Sequence, residues 1–208
     1  MARQLRLSLR GPPAFTRETF VPGGSNAQAR AAIDAWPAWP GGCLALIGPE
    51  GVGKSHLARA WAAAANAVIL DAAELDVAAA EARPALIEDV DRGLDDEALF
   101  HLINVAARGG KGLLLTARSL PLAWPAKLPD LRSRLKALHV AEIAEPDKEV
   151  LTGVLKNFFR ELYIRPTDDV YPYLLKRMQR TIPGARQIVE RLNEPEGMAS
   201  RAVSRALA

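Results

Sequence analysis

The chain has 208 residues, 49% of them hydrophobic and 25% charged, with 27 Lys and Arg against 24 Asp and Glu for a formal net charge of +3. That balance excludes a disordered or low-complexity polypeptide; the length allows one sizeable core with a small satellite, and the charge permits nucleic-acid contact without requiring it. A single Cys43 excludes an intrachain disulfide, no apolar run approaches membrane-spanning length, and Met1 to Arg6 lacks the apolar centre of a signal peptide, so a cytoplasmic protein with no membrane partner is expected.

Residues 1–14 read as an arm. Gln4-Leu5-Arg6-Leu7-Ser8-Leu9 alternates apolar and polar residues before Gly11-Pro12-Pro13, which suits an edge strand or an extended peptide anchored on a partner by Leu5, Leu7 and Leu9. Phe15 and Phe20-Val21-Pro22-Gly23-Gly24-Ser25-Asn26 lead into a predicted helix from Ala27 to Trp36, with Ser25 or Asn26 as its cap. Apolar residues beside this turn could wall an adenine pocket or simply pack. Trp36 to Gly42 is a rigid connector whose tryptophans are assigned to packing.

Cys43 to Ile47 is an apolar run of strand length, and His56 to Ala65 has helical periodicity in Leu57, Ala60, Trp61 and Ala64. Between them stands Gly48-Pro49-Glu50-Gly51-Val52-Gly53-Lys54-Ser55, which fits the phosphate-binding pattern G-x-x-x-x-G-K-[ST] in its required strand–loop–helix setting. The glycines let backbone N–H groups approach phosphate oxygens, and the helix N-terminus adds partial positive charge. Lys54 supplies a full charge for the outer phosphates, and the Ser55 hydroxyl is a Mg²⁺ ligand candidate. The alternative, a chance glycine turn, does not explain the flanking elements.

Ala67 to Asp71 reads as a second strand and Ala72 to Ala82 as a short helix. Pro84 to Asp91 reads as a strand ending in acids. Glu88 and Asp89 are candidates for completing a Mg²⁺ shell and polarising an attacking water, or else form a solvated turn capping the next helix. That helix spans Asp95 to Arg108 and stops at Gly109-Gly110. Gly112 to Thr116 is a further buried strand whose Thr116 either orients water or is a plain strand-end hydroxyl. Leu120 to Pro129 carries three prolines and reads as loop. Asp130 to Leu135 is a short helix and Ala137 to Ile143 the last strand. Arg132 and Arg134 are solvated charges or phosphate-directed fingers; spacing leaves both open. After Glu145-Pro146 only helices are expected: Asp147 to Leu162, Thr167 to Met178, Pro183 to Leu192 and Glu196 to Ala208. His56, His101 and His139 lack metal-ligand spacing.

Taken together these segments resemble the AAA+ ATPases of the bacterial replication-initiator DnaA family, over nearly the whole chain. The resemblance is carried by Phe20 to Asn26, Gly53-Lys54-Ser55-His56-Leu57, Leu99 to Asn104, Leu114-Leu115-Thr116, Asp130 to Leu135 and Met178 to Ala185. It implies an α/β phosphate-loop domain with a three-layer parallel sheet over residues 15–145 and a small all-helical lid over 146–208. It implies ADP or ATP with Mg²⁺ as cofactors, held by the whole loop from Gly48 through Pro49, Glu50, Gly51, Val52, Gly53 and Lys54 to Ser55. His56 extends that loop, Phe20, Val21 and Asn26 border the adenine, and Arg180 senses phosphate from the lid. Ser55 and Glu88 are the implied metal ligands, and Glu88, Asp89, Thr116 and the finger Arg134 the implied catalytic set.

The resemblance is strongest to the short regulatory inactivators of that family. The chain ends soon after the expected lid, without a helix-turn-helix segment, and residues 4–9 are similar to the hexapeptide by which those inactivators bind the DNA polymerase sliding clamp. Gln4, Leu5, Leu7 and Leu9 are the implied contacts. The implied partners are DnaA and the clamp, with DNA reached only indirectly and a homodimer left open. The implied function is stimulation of hydrolysis of DnaA-bound ATP, limiting re-initiation of chromosome replication. Glu88 stands where the family usually has Asp, and Ala117 where an acid often precedes the arginine, which implies weak intrinsic hydrolysis. The rival readings are a self-contained ATPase of the helicase-loader or clamp-loader kind, and a DNA-associated adaptor whose nucleotide is structural.

Overall fold

Five short apolar runs become five strands of one sheet: β1 (Cys43–Ile47), β2 (Val68–Leu70), β3 (Ala85–Ile87), β4 (Leu113–Ala117) and β5 (His139–Glu142). The structure, a computed structural model, describes residues 15–72, 75–93, 95–109 and 111–193. The arm at 1–14, with Gln4, Leu5, Leu7 and Leu9, and the helix expected at 196–208 lie outside the described residues. The strand order is β2-β3-β4-β1-β5, and every pairing is parallel. Parallel strands need crossover helices, and those helices cover both faces of the sheet.

Side-chain alternation divides the core in two. Cys43, Ala45 and Ile47 of β1, with Ile87 and Leu115, pack against α3 (Val77–Ala82), α4 (Asp96–Ala107) and α5 (Pro129–Lys136). Leu44 and Leu46, with Leu86 and Leu114, pack against α1 (Ala27–Asp34) and α2 (Lys54–Ala64). All five residues of β1 are buried, as its place near the middle of a covered sheet requires. A leucine buried as completely as Leu44 or Leu46 contributes roughly 1.5–3 kcal/mol, so the strand that carries the phosphate loop is firmly seated. Trp39 stacks near Trp61, ring centroids 5.1 Å apart. The expected packing role of the tryptophans is joined by hydrogen bonds, the Trp36 and Trp39 indoles donating to the carbonyls of Lys111 and Ala32.

Several boundaries differ from expectation. The strand over 84–91 stops at Ile87, because Asp89 turns the chain with a φ of +52°. The helix expected from Ala72 starts at Val77, where the Asp76 side chain accepts the Ala79 N–H. Pro121–Ala123 forms one 3-10 turn inside the expected loop, and Pro129 already belongs to α5. The helix expected over 167–178 is only Val170–Leu175.

The last three helices, α6 (Lys148–Glu161), α7 (Val170–Leu175) and α8 (Ile182–Asn193), have their own core around Leu151, Leu155, Phe159, Leu174, Ala185 and Val189. This unit is stapled to the α/β domain at α6. Asp147 accepts N–H bonds from Val150 and Ser25 at 2.8 and 3.0 Å, and the Ser25 hydroxyl accepts the Asp147 N–H at 3.3 Å. A Cβ on Gly23 would lie 2.3 Å from Val150 Cγ2, so a side chain here would have to displace Val150. No helix among the described residues is long and apolar enough to cross a membrane.

Candidate nucleotide site

The site forms at the carboxyl ends of β1, β3 and β4, where open α/β sheets bind ligands. Leaving β1, the chain passes Gly48, whose Cβ would fall 2.3 Å from the Ile143 carbonyl oxygen. It then turns through Gly51 and Gly53, at φ of +75° and +104°, and Gly53 caps α2. The first N–H groups of a helix lack intrahelical partners and face outward from its end, so α2 presents them to the loop. Lys54 is folded into the loop and only 7% exposed. Its ammonium donates to the carbonyls of Gly48 and Pro49, both at 2.7 Å. Burial lowers its pKa, the nearby Asp89 carboxylate opposes that shift, and the Arg118 guanidinium adds to it. Ser55, next along α2, is exposed.

The acids after β3 are already engaged. Glu88 lies on the α2 side of the sheet, as alternation from Leu86 dictates, and its Oε2 accepts from Arg59 Nε at 2.7 Å. Its Oε1 is buried without a hydrogen-bond partner. Asp89 pairs with Arg92 at 3.6 Å. Thr116, fully buried, holds this turn in place: its hydroxyl accepts the Asp89 N–H at 3.1 Å and its carbonyl the Val90 N–H at 3.0 Å. Among the described residues no group of three or more His, Cys, Asp or Glu side chains could hold a metal, so a divalent cation here would depend on phosphate oxygens for further ligands.

Three residues passed over in the sequence complete this end of the sheet. Asp91 Oδ2 accepts the Arg118 N–H at 2.9 Å and the Ser119 hydroxyl at 3.4 Å, tying the end of β4 to the turn after β3, while its Oδ1 is buried without a partner. The Arg118 guanidinium reaches Glu50 of the phosphate loop at 2.8 Å. Arg59 pairs with Glu88 and lies 5.1 Å over the Phe15 ring. The available signals were the acid run from Glu88 to Asp91 and an arginine just beyond a buried strand.

His56 faces away from the loop, against the segment before α1. Its Nε2 is 2.9 Å from the Thr16 carbonyl and 3.2 Å from the Thr19 hydroxyl. Its ring sits edge-on to Phe15 and Phe20. Phe20 Cε2 is 3.5 Å from where a Gly53 Cβ would lie, and Val21 packs on Gly153 of α6. Asn26 is buried and closes its own loop, accepting from the Gly23 N–H at 3.1 Å and donating to the Val21 carbonyl at 3.0 Å.

The start of α8 closes over the loop. Pro183 Cδ and Cγ are 2.7 and 2.8 Å from the Cβ position of Gly51, and Ile182 Cδ1 is 3.5 Å from that of Gly53. Arg180, two residues before α8, is exposed. Arg134 is exposed on α5, whose opposite face buries Leu131 and Leu135. The Asp96 carboxylate fixes the entry to α5 by accepting the Lys127 and Leu128 N–H groups, both at 2.6 Å. No hydrogen bond or ion pair joins Arg134 or Arg180 to the loop among the described residues. The structure therefore gathers residues 48–55, Glu88, Asp89, Thr116 and Phe20, sets Asn26 behind them, and leaves Arg134 apart.

Insertion of β4 between β1 and β3 makes this the AAA+ variant of the phosphate-loop α/β fold. Comparison with known proteins agrees. No protein-family model matches the chain. Over 200 residues it is 28% identical to the chromosomal replication initiator protein DnaA of Thermomicrobium roseum, a match covering 82% of this chain and 43% of that one. Domain III of the Thermotoga maritima replication initiation protein DnaA superposes with a TM-score of 0.73 at 19% identity over 88% of each chain. AMPPCP-bound DnaA from Aquifex aeolicus gives 0.73 at 20% identity, covering 93% of this chain and 70% of that one. The chain is thus similar to the AAA+ part of DnaA and spans less than half the length of the curated relatives it matches.

Proposed function

We propose that this chain is an adenine-nucleotide-bound AAA+ switch protein of the Hda kind, a regulatory inactivator of DnaA. It docks on the DNA-loaded sliding clamp through Gln4, Leu5, Leu7 and Leu9, and it promotes hydrolysis of ATP bound to DnaA. The similarity to DnaA, including the structure bound to AMPPCP, supports adenine as the base. Lys54, Ser55 and the N–H groups of the loop hold the phosphates, Phe20 and Val21 border the base, and Arg180 approaches from the helical unit, which acts as a lid. Ser55 and Glu88 Oε1 would hold Mg²⁺, which would neutralise phosphate charge.

One observation carries the division of labour. The acids of this site are committed to arginines, Glu88 to Arg59 and Asp89 to Arg92, whereas Arg134 stands exposed on α5 with no hydrogen bond or ion pair among the described residues. A site so arranged holds nucleotide and turns it over slowly, and its free guanidinium serves a neighbour. There the planar fork stabilises charge shifting on the γ-phosphoryl oxygens.

The test is single-turnover hydrolysis of DnaA-bound ATP in the presence of clamp loaded on DNA. Arg134→Ala should remove most of the stimulation, ~10³-fold or more where a finger acts fully, and Arg134→Lys should also fail because a point charge on a flexible stem lacks the fork. Full stimulation by Arg134→Ala rejects the finger. Fast ATP turnover by the purified chain alone would identify a self-contained ATPase instead, and no stimulation by the unaltered chain would favour an adaptor with structural nucleotide.

A further inference from the structure

We propose that Arg59 is a positioning residue that supplies, at Glu88, part of the positive charge a divalent cation would bring, so that the site holds a nucleoside diphosphate with little dependence on Mg²⁺. The inference rests on the nucleotide reading above and adds to it the residue that sets the metal requirement.

Helix geometry places the residue. Ser55 and Arg59 lie one turn apart on α2, and both are exposed. The hydroxyl suited to a metal ion and a full positive charge therefore share one side of the helix. Glu88, the residue after β3, meets that side, its Oε2 accepting from Arg59 Nε at 2.7 Å. The pair is only partly open to water, with Arg59 44% and Glu88 16% exposed. The Arg59 guanidinium also lies over the Phe15 ring, 5.1 Å from its centroid. Two separate contacts, one ionic and one with an aromatic face, thus hold the cation at the acid.

Charge supplies the consequence. A carboxylate attracts a dication through its negative charge. Here that charge is matched by a guanidinium in direct contact, while Glu88 Oε1 stays buried without a partner. A dication drawn to Oε1 meets an ion pair instead of a free acid, and Arg59 repels it. Ser55 and Glu88 therefore hold the ion weakly. The same guanidinium removes the repulsion that a bare Glu88 would exert on bound phosphates. The loop N–H groups and Lys54 then face those phosphates with little opposing charge at Glu88, and a metal ion has less left to neutralise.

The experiment measures ADP binding to the full chain by titration calorimetry, once with Mg²⁺ and once with EDTA. The two affinities of the unaltered chain should differ less than about threefold. Arg59→Gln keeps a donor for Glu88 and removes the charge. In that variant Mg²⁺ should raise ADP affinity about tenfold or more, the size of a lost charged hydrogen bond. Arg59→Lys keeps the charge and should stay close to the unaltered chain. Adding Glu88→Gln to Arg59→Gln should abolish the new dependence, a rescue that a merely structural role for Arg59 does not give. Thermal unfolding of each variant guards against misfolding. A tenfold or greater dependence on Mg²⁺ in the unaltered chain overturns the inference whatever the variants do. An unchanged small ratio in Arg59→Gln also overturns it, as does a dependence that survives the added Glu88→Gln. Lys54→Ala separates this from failure of the underlying reading: if that variant still binds ADP normally, the nucleotide site itself is wrong.

Discussion

Seating of α8 on the phosphate loop can be tested by adding one methyl group. Gly51 has a φ of +75°, and a Cβ there would lie 2.7 Å from Pro183 Cδ and 2.8 Å from Cγ. Gly51→Ala therefore meets two separate costs. The left-handed backbone costs an L-residue roughly 1–2 kcal/mol, and pressing a methyl group into the proline ring costs about 1–3 kcal/mol, the range for overpacking. The sum is about 2–5 kcal/mol. Pro183→Ala removes both clashing atoms and by itself should cost less than ~1 kcal/mol, chiefly through greater freedom of the unfolded chain. In the double variant only the backbone cost remains, so the two substitutions should be non-additive by about 1–3 kcal/mol. The assay is urea or thermal unfolding of the full chain for the four members of the cycle. Additivity would refute the claim that the first turn of α8 rests on the loop, and with it the structural basis for treating the helical unit as a lid.

Asp147→Ala should cost about 1–2 kcal/mol at neutral pH, the usual loss for a helix cap, while Asp147→Asn keeps most of it. The N–H bonds from Val150, then Ser25, hold the Asp147 carboxyl below its ordinary value near 3.8 against the opposing effect of burial. Its stabilisation is therefore complete above that value and lost as pH falls through the lower folded one, so urea unfolding against pH should show a flatter acid limb in the alanine variant. Thr116→Val keeps side-chain volume but leaves the Asp89 N–H unpaired, and should destabilise by about 1–3 kcal/mol; a neutral result in unfolding would refute the bracing role of that hydroxyl. Lys54→Ala should abolish tight ADP binding in calorimetry, and unchanged affinity would reject the phosphate loop.

The central strands β1, β3 and β4 were legible in the sequence because buried parallel strands are short continuous apolar runs, and each follows Gly or Pro; the edge strands β2 and β5 are only partly buried. The phosphate loop was legible because its chemistry demands particular residues at particular spacings. Element lengths were less so. The run after Pro84 looked longer than β3 because Val90 is apolar and buried, yet it is buried after a left-handed turn at Asp89 rather than along a strand. The helix expected from Ala72 was overextended because periodicity alone does not mark the cap, which Asp76 supplies by accepting the Ala79 N–H. Strand order was not read from the sequence at all, since no local pattern records which runs become neighbours.

Partners were the other hidden quantity, and they change what the site can do. Alternation along β3 places Glu88 on the α2 side, but only the folded chain brings it to Arg59. Around the loop, Glu50, Glu88 and Asp89 are each matched by an arginine, Arg118, Arg59 and Arg92 respectively. Lys54 alone is held by neutral carbonyl dipoles. Its burial without a bound counter-charge is unfavourable, as its lowered pKa records. A polyphosphate entering the loop replaces those dipoles with full negative charge, inside a cradle whose glycines need not rearrange. The acids suited to activating water stay in their pairs. Such a site gains most of its electrostatic energy on binding, with little reserved for hydrolysis, which is the balance the proposed function requires.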